Sequence, residues 1–323
     1  MLDIVNAKTR QAESFRADVV AGLSTSRKSL PSRWLYDDLG CELFEDITQL
    51  DEYYPTRTET GILRHNSAPI ADFCGGHAAV IEYGAGAGIK TEILLGALRQ
   101  PRRYLPVDIA GDFLAMTANR IGMRFSSVRI WPIVADFTED FDVVDQLEGV
   151  ENTIGFFPGS TIGNLDSIAT DSFLSQVRRH VGTRGKAIIG VDLKKDIKTL
   201  IAAYDDREGV TARFNLNVLT RINRELRGEF RLDRFSHRAV WNEDASAIEM
   251  HIVSLRDQCV AVGPRQFVFL AGETIHTETS RKYAVEEFTR VAERQGWSAS
   301  EVWTDSDDLF GVFGLKATGS AVR

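Results

Sequence analysis

The chain of 323 residues is long for one typical domain and suits two, or one core with a large insertion. With 43% apolar and 26% charged residues it has the makeup of a soluble globular protein, and its net charge of −8 argues against a general nucleic-acid binder. Three scattered cysteines, Cys41, Cys74 and Cys259, with no CxxC pair, suggest neither a disulfide framework nor a zinc site and fit a reduced, cytoplasmic setting. Met1-Leu2-Asp3 does not read as the start of a signal peptide, and no apolar run approaches the ~20 residues that cross a bilayer.

In chain order, residues 1–57 read as mostly helical. Leu43, Phe44, Ile47 and Leu50 recur at helical spacing over 41–50, and Tyr53-Tyr54-Pro55 breaks that pattern before a further helix over 58–66. From residue 79, short strands over 79–83, 104–108, 128–134, 153–157 and 186–192 alternate with helices over 89–99, 113–121 and 173–180. Such alternation predicts a parallel sheet covered on both faces. It stops near Asp192. Residues 197–225 read as helical, and 228–281 hold strand-like pieces at 239–241, 247–254 and 266–270, an insertion of different character. A helix over 284–295 and strands over 299–304 and 309–317 close the chain.

The firmest local signal is the strand–loop–helix unit around Gly84-Ala85-Gly86-Ala87-Gly88. Glycines let a backbone turn sharply and approach a ligand, and the helix behind them offers open amides. The plainer reading is a tight turn with no ligand. A dinucleotide fingerprint would need glycine at the position of Ile89. The pattern Glu82-x-Gly84-x-Gly86-x-Gly88 resembles instead the first motif of class I methyltransferases, whose loop approaches the methionine part of S-adenosylmethionine. Asp108 ends the next strand, about 20 residues on, where an acidic side chain suits two ribose hydroxyls. Asp136-Phe137 end the third strand; in that family an acidic residue there holds the adenine amine and its neighbour lines the ring. Lys90 either reaches the cofactor carboxylate or is a solvated helix lysine. The element order also fits, for in that family the last strand is antiparallel and slots between the fifth and sixth.

More specific are Trp34-Leu35-Tyr36-Asp37, Leu50-Asp51-Glu52-Tyr53-Tyr54-Pro55-Thr56-Arg57-Thr58-Glu59, Phe156-Phe157-Pro158-Gly159-Ser160-Thr161-Ile162-Gly163-Asn164 and His276-Thr277-Glu278-Thr279-Ser280. With these segments the chain resembles the histidine Nα-methyltransferases of ergothioneine biosynthesis over residues 30–317. The resemblance implies an α/β fold: a Rossmann-like class I methyltransferase sheet with a second, α+β substrate-binding domain. The cofactor domain would comprise residues 58–196 and 283–323, and the substrate domain residues 1–57 and 197–282. It implies S-adenosyl-L-methionine as cofactor, no metal, and three methyl transfers to the α-amine of L-histidine, giving hercynine by way of the mono- and dimethylated forms. A monomer without nucleic-acid or membrane partners is expected.

The same resemblance gives the polar residues roles. Tyr36 would hold the amine. Tyr53 and Asn164 would bind the substrate carboxylate, with Tyr204 a third donor near the carboxylate or the imidazole. Glu278 and Ser280 would take the two ring nitrogens, and Met250 would pack on the ring. Without it, Tyr36 reads as a core tyrosine, Tyr53 as half of an aromatic pair before proline, Asn164 as a turn residue and Met250 as plain core. Glu278 and Ser280, two residues apart on a strand and so on one face, read as a solvated strand face. The competing functions are methylation of another amino acid such as tryptophan, a non-enzymatic binding protein that has kept the fold, and a nicotinamide oxidoreductase, which Ile89 disfavours.

Overall fold

The apolar runs that read as strands lie side by side in one eight-stranded sheet. In this computed structural model, which describes residues 2–319, its strands are β1 (Ala79–Tyr83), β2 (Arg103–Asp108), β3 (Arg129–Ile130), β4 (Ile133–Val134), β5 (Thr153–Phe157), β6 (Lys186–Asp192), β7 (Trp297–Thr304) and β8 (Phe310–Ala317). The order across the sheet is β7-β8-β6-β5-β1-β2-β3, with β4 also on β2. Strands β1 to β6 pair in parallel, whereas β8 runs antiparallel to both of its neighbours. The last strand in chain order thus lies between the two before it, as the resemblance implies.

Burial on both faces explains why these strands read as continuous apolar runs. Along β1, Ile81 and Tyr83 enter one core cluster and Val80 the other, in the period of two that a pleated strand dictates. The expected continuous strand over 128–134 is corrected to two short pieces, β3 and β4, separated by Trp131-Pro132. Proline has no N–H for the ladder. The helix expected from Thr58 starts at Tyr54 and runs to His65, with Pro55 in its first turn. There the missing N–H costs nothing, so Pro55 opens a helix rather than breaking one.

The sheet belongs to a compact unit made of Tyr54–Lys195 and Ser280–Arg323; the other unit is Met1–Tyr53 with Asp196–Thr279. Residue 1 and residues 320–323, outermost in the two expected domains, lie outside the described residues. In the second unit the strands Lys28–Ser29, Thr274–Arg281, Ala247–Ser254 and Phe235–Asn242 form a four-stranded sheet in that order, and Gln258–Val262 pairs with Arg265–Phe269 as a hairpin. The helical reading of 197–225 resolves into Ile197–Tyr204 and Val210–Leu226. Asp206 separates them, its carboxylate accepting from the open amides of Val210 (2.9 Å) and Thr211 (2.8 Å). Helix Val210–Leu226 also ties down the N-terminal segment. Arg221 donates to the Trp34 carbonyl at 3.1 Å, and Asn217 and Arg224 donate to the two oxygens of Asp37 at 2.6 and 2.7 Å.

Candidate active site

In the sheet unit the sequence-predicted cofactor residues follow the carboxyl ends of neighbouring parallel strands, the edge at which ligands bind in open α/β sheets. Gly84, Gly86 and Gly88 follow β1, Asp108 ends β2, and Asp136 and Phe137 follow β4. Gly84 donates its amide to the Val107 carbonyl at 2.8 Å. Gly86 donates to Asp108 Oδ2 at 3.2 Å and accepts from the Thr117 hydroxyl at 2.9 Å. Its φ is +49°, and a Cβ built there would have no atom within 4 Å. Gly88 is glycine for a different reason. At φ +68° it precedes helix Ile89–Ala97, and a Cβ there would stand 2.9 Å from Thr117 Cγ2.

Asp108 Oδ1 accepts from the Ala110 amide at 2.9 Å, so each of its oxygens holds backbone and keeps a lone pair for a further donor. Burial raises its carboxyl pKa, against the pull of those amides. Glu82, 1% exposed, accepts from the Thr91 hydroxyl at 2.5 Å and from the Tyr104 phenol, which joins the helix behind the loop to β2. Burial pushes its carboxyl up to about 8. Asp136 Oδ1 accepts from both the amide (2.9 Å) and hydroxyl (2.6 Å) of Thr138, closing a local turn. Phe137 packs on Phe157 and Phe173, with ring centroids 5.3 and 5.8 Å away, and its ring edge lies 3.5 Å from where a Gly84 Cβ would stand.

Lys90 is no solvated helix lysine: its ammonium pairs with the buried Glu59 at 2.5 Å. Asn164 ends the short 3-10 helix Thr161–Asn164, which Ser160 enters at φ +58°. Ser160 Oγ accepts from the amide of Asp192, at the end of β6. Around Asp192 lies a charge cluster that sequence reasoning missed. Its carboxylate accepts from the Tyr54 phenol at 2.7 Å, Lys195 at 2.5 Å and Lys282 at 2.7 Å. Asp192 and Lys282 are wholly buried. Burial alone would raise the Asp192 carboxyl, but the ammoniums of Lys282 and Lys195 outweigh it and hold it below the usual carboxylate range. Burial brings Lys195 down to about 8. Ser280 Oγ accepts from Lys282 at 2.7 Å.

In the other unit, Tyr36, Tyr53 and Tyr204 belong to one run of aromatic rings. Tyr204 meets Tyr53 (centroids 6.2 Å), Tyr53 meets Phe44 (6.1 Å), and Phe44 meets both Tyr36 (5.6 Å) and Phe214 (6.0 Å). The Tyr36 phenol points to Glu278 Oε1 at 3.5 Å, the long limit of hydrogen bonding. Burial, with Glu278 adding to it, raises that phenol well above the ordinary tyrosine range. Met250 is buried, opposite Ala239 in the sheet. Glu278 and Ser280 are 7% and 3% exposed, which removes the reading of a solvated strand face. The in–out alternation of their strand breaks between Thr277 and Glu278, both buried.

A sheet whose strands β1 to β6 run parallel, with the antiparallel β8 between β6 and β7, a glycine turn after its first strand and acidic residues at or just after the next strand ends, has the class I methyltransferase architecture. Within that class, the model of the family described as "Histidine-specific methyltransferase, SAM-dependent" matches residues 15–317, and the chain belongs to this family. It is 40% identical to a histidine N-alpha-methyltransferase of Mycolicibacterium smegmatis, over 93% of this chain and 94% of that protein. It is 39% identical to a protein of the same name from Mycobacterium tuberculosis, over the same shares. An ergothioneine biosynthesis protein 1 of Neurospora crassa is 28% identical over 93% of this chain, which spans 34% of that longer protein.

Proposed function

We propose that the protein transfers three methyl groups from S-adenosylmethionine to the α-amine of L-histidine, through the mono- and dimethylated forms to hercynine, the first step of ergothioneine biosynthesis. The match of residues 15–317 to a histidine-specific family carries this reading, and the buried Glu278 beside Tyr36 supports it. The sheet unit would hold the cofactor, and most of the residues proposed for the amino acid, Tyr36, Tyr53, Tyr204, Met250 and Glu278, belong to the other unit. A monomer in a reducing, cytoplasmic setting belongs to the same reading.

The residues present fit the cofactor: the open space beside Gly86 lets a ligand approach the backbone, and Asp108 keeps lone pairs for hydroxyl donors. Gly84, Gly86 and Gly88 would shape the turn, and Lys90 would meet the cofactor carboxylate. Asp136 and Phe137 would take the adenine. S-adenosylmethionine supplies a methyl group already activated on a sulfonium, so the protein need only orient and desolvate the amine. Tyr36, whose phenol is pushed above the ordinary tyrosine range by burial and by Glu278, would orient the amine by hydrogen bonding. Tyr53, Asn164 and Tyr204 would hold the substrate carboxylate. Glu278 would accept from one ring N–H, Ser280 would meet the other nitrogen, and Met250 would cover the ring.

Histidine and S-adenosylmethionine incubated with the protein should give masses for one, two and three added methyl groups. Unmodified histidine, with tryptophan or another amino acid methylated under the same conditions, would transfer the activity to that substrate. Tyr36→Phe removes one hydroxyl and little volume. Loss of one hydrogen bond to the reacting amine should cost roughly 1–3 kcal/mol in the transition state, or about 5–150-fold in rate, with cofactor affinity retained. Wild-type turnover at saturating histidine would remove Tyr36 from the catalytic set.

A further inference from the structure

None of the roles above uses Glu59. It sits on helix Tyr54–His65 and is wholly buried, yet three distant segments converge on it. Its Oε2 accepts from Lys90 Nζ at 2.5 Å and from the Gly159 amide at 2.8 Å. Its Oε1 is buried without a hydrogen-bond partner and lies 2.1 Å from where a Cβ at Gly190 of β6 would stand. A carboxylate is expensive to bury, more so with one oxygen bare. The strand has a glycine where the carboxylate abuts it, and the turn after β5 gives it an amide. The glycine seats Oε1 against the strand, the amide holds Oε2, and Oε2 in turn holds Lys90. A lysine stem is otherwise long and mobile.

We propose that Glu59 is a positioning residue for the amino-acid end of the cofactor: held by Gly159 and seated against Gly190, it fixes the Lys90 ammonium where that ammonium receives the carboxylate of S-adenosylmethionine. The proposal rests on the reading of Lys90 given above. It makes the separation of YYPTRTE, the glycine-loop helix and FFPGSTIGN in sequence a matter of one ion pair in space.

The test compares calorimetric Kd values for S-adenosylmethionine and its decarboxylated analogue in the wild type, Lys90→Met, Glu59→Gln and Gly190→Ala. Lys90→Met should remove most of the preference for the carboxylated ligand. Glu59→Gln keeps the shape and loses the charge; Gly190→Ala keeps the charge and displaces it. Each should lower the preference about tenfold, the size of one charge-assisted hydrogen bond, with the analogue's Kd unchanged. Equal weakening of both ligands would make Glu59 a purely structural residue and overturn the proposal, as would a preference that stays or rises. If Lys90→Met lowers the preference and the Glu59 and Gly190 variants do not, the Lys90 reading stands and the Glu59 proposal fails. A wild-type preference in Lys90→Met sinks both. Should Gly190→Ala fail to fold, the isosteric Glu59→Gln carries the test.

Discussion

Gly86→Val should abolish binding of S-adenosylmethionine while the sheet stays folded. At φ +49° the residue occupies the left-handed region, which costs an L-residue roughly 1–2 kcal/mol, and a β-branched side chain suits it least. That strain is small against the ~5–15 kcal/mol by which a domain is held together. The larger effect is steric toward the ligand. A Cβ at 86 would meet no atom within 4 Å, so on the proposed reading of the site the valine would project into the space the cofactor needs. At Gly88 the same change would strike Thr117 and confound fold with function. Calorimetry on a variant with wild-type circular dichroism decides the matter, and unchanged affinity would take the glycine turn out of the cofactor site.

Asp192→Ala should destabilise the sheet unit by about 3–5 kcal/mol, because it leaves the buried ammoniums of Lys282 and Lys195 without their shared counter-charge. The pH dependence carries a sign. The folded-state pKa of Asp192 lies below its unfolded value, so its contribution is complete above the unfolded pKa, about 3.9, and is lost as pH falls through the folded value. The wild-type advantage over Asp192→Ala should therefore be full at pH 7 and shrink in acid. In the variant the Lys195 ammonium, already lowered by burial, loses its Asp192 counter-charge, so folding favours release of its proton and stability should climb with pH toward the lysine range. Urea midpoints at pH 4, 7 and 9 measure both slopes. A loss under about 1 kcal/mol at pH 7 would place the cluster among pairs whose desolvation cancels their attraction.

The strands β1, β5 and β6 were legible to the residue because burial on both faces leaves an unbroken apolar run between polar turns. Where one face is polar or the run is short, the signal weakened. The strand Gln258–Val262 went unread, and β3 and β4 merged across Pro132. Pro55 misled because the same residue that ends a helix also begins one. Among the candidate site residues, the glycine turn and Asp108 could be argued from spacing alone. Tyr36, Tyr53, Tyr204 and Glu278 needed the family resemblance, since nothing local tells a pocket tyrosine from a core one. Glu59, Asp192, Lys195 and Lys282 were invisible for a physical reason. Glu59, Asp192 and Lys282 look like surface charges until a partner far along the chain is brought beside them, and Lys195, three residues from Asp192, looks like half of a local surface pair until that cluster is buried.

Strand β8 pairs along its length with β6, from Phe310 opposite Asp192 to Lys316 opposite Lys186. It is the last of the eight strands in chain order, yet it lies between β6 and β7. During synthesis β6 is therefore an open edge of apolar residues for as long as the intervening chain takes to emerge. An unpaired edge of that kind recruits strands from other chains, and closing it late is entropically slow. The topology thus predicts that the nascent protein associates most readily while the carboxyl-terminal hairpin is still unmade, with β8 acting as a plug as well as a strand.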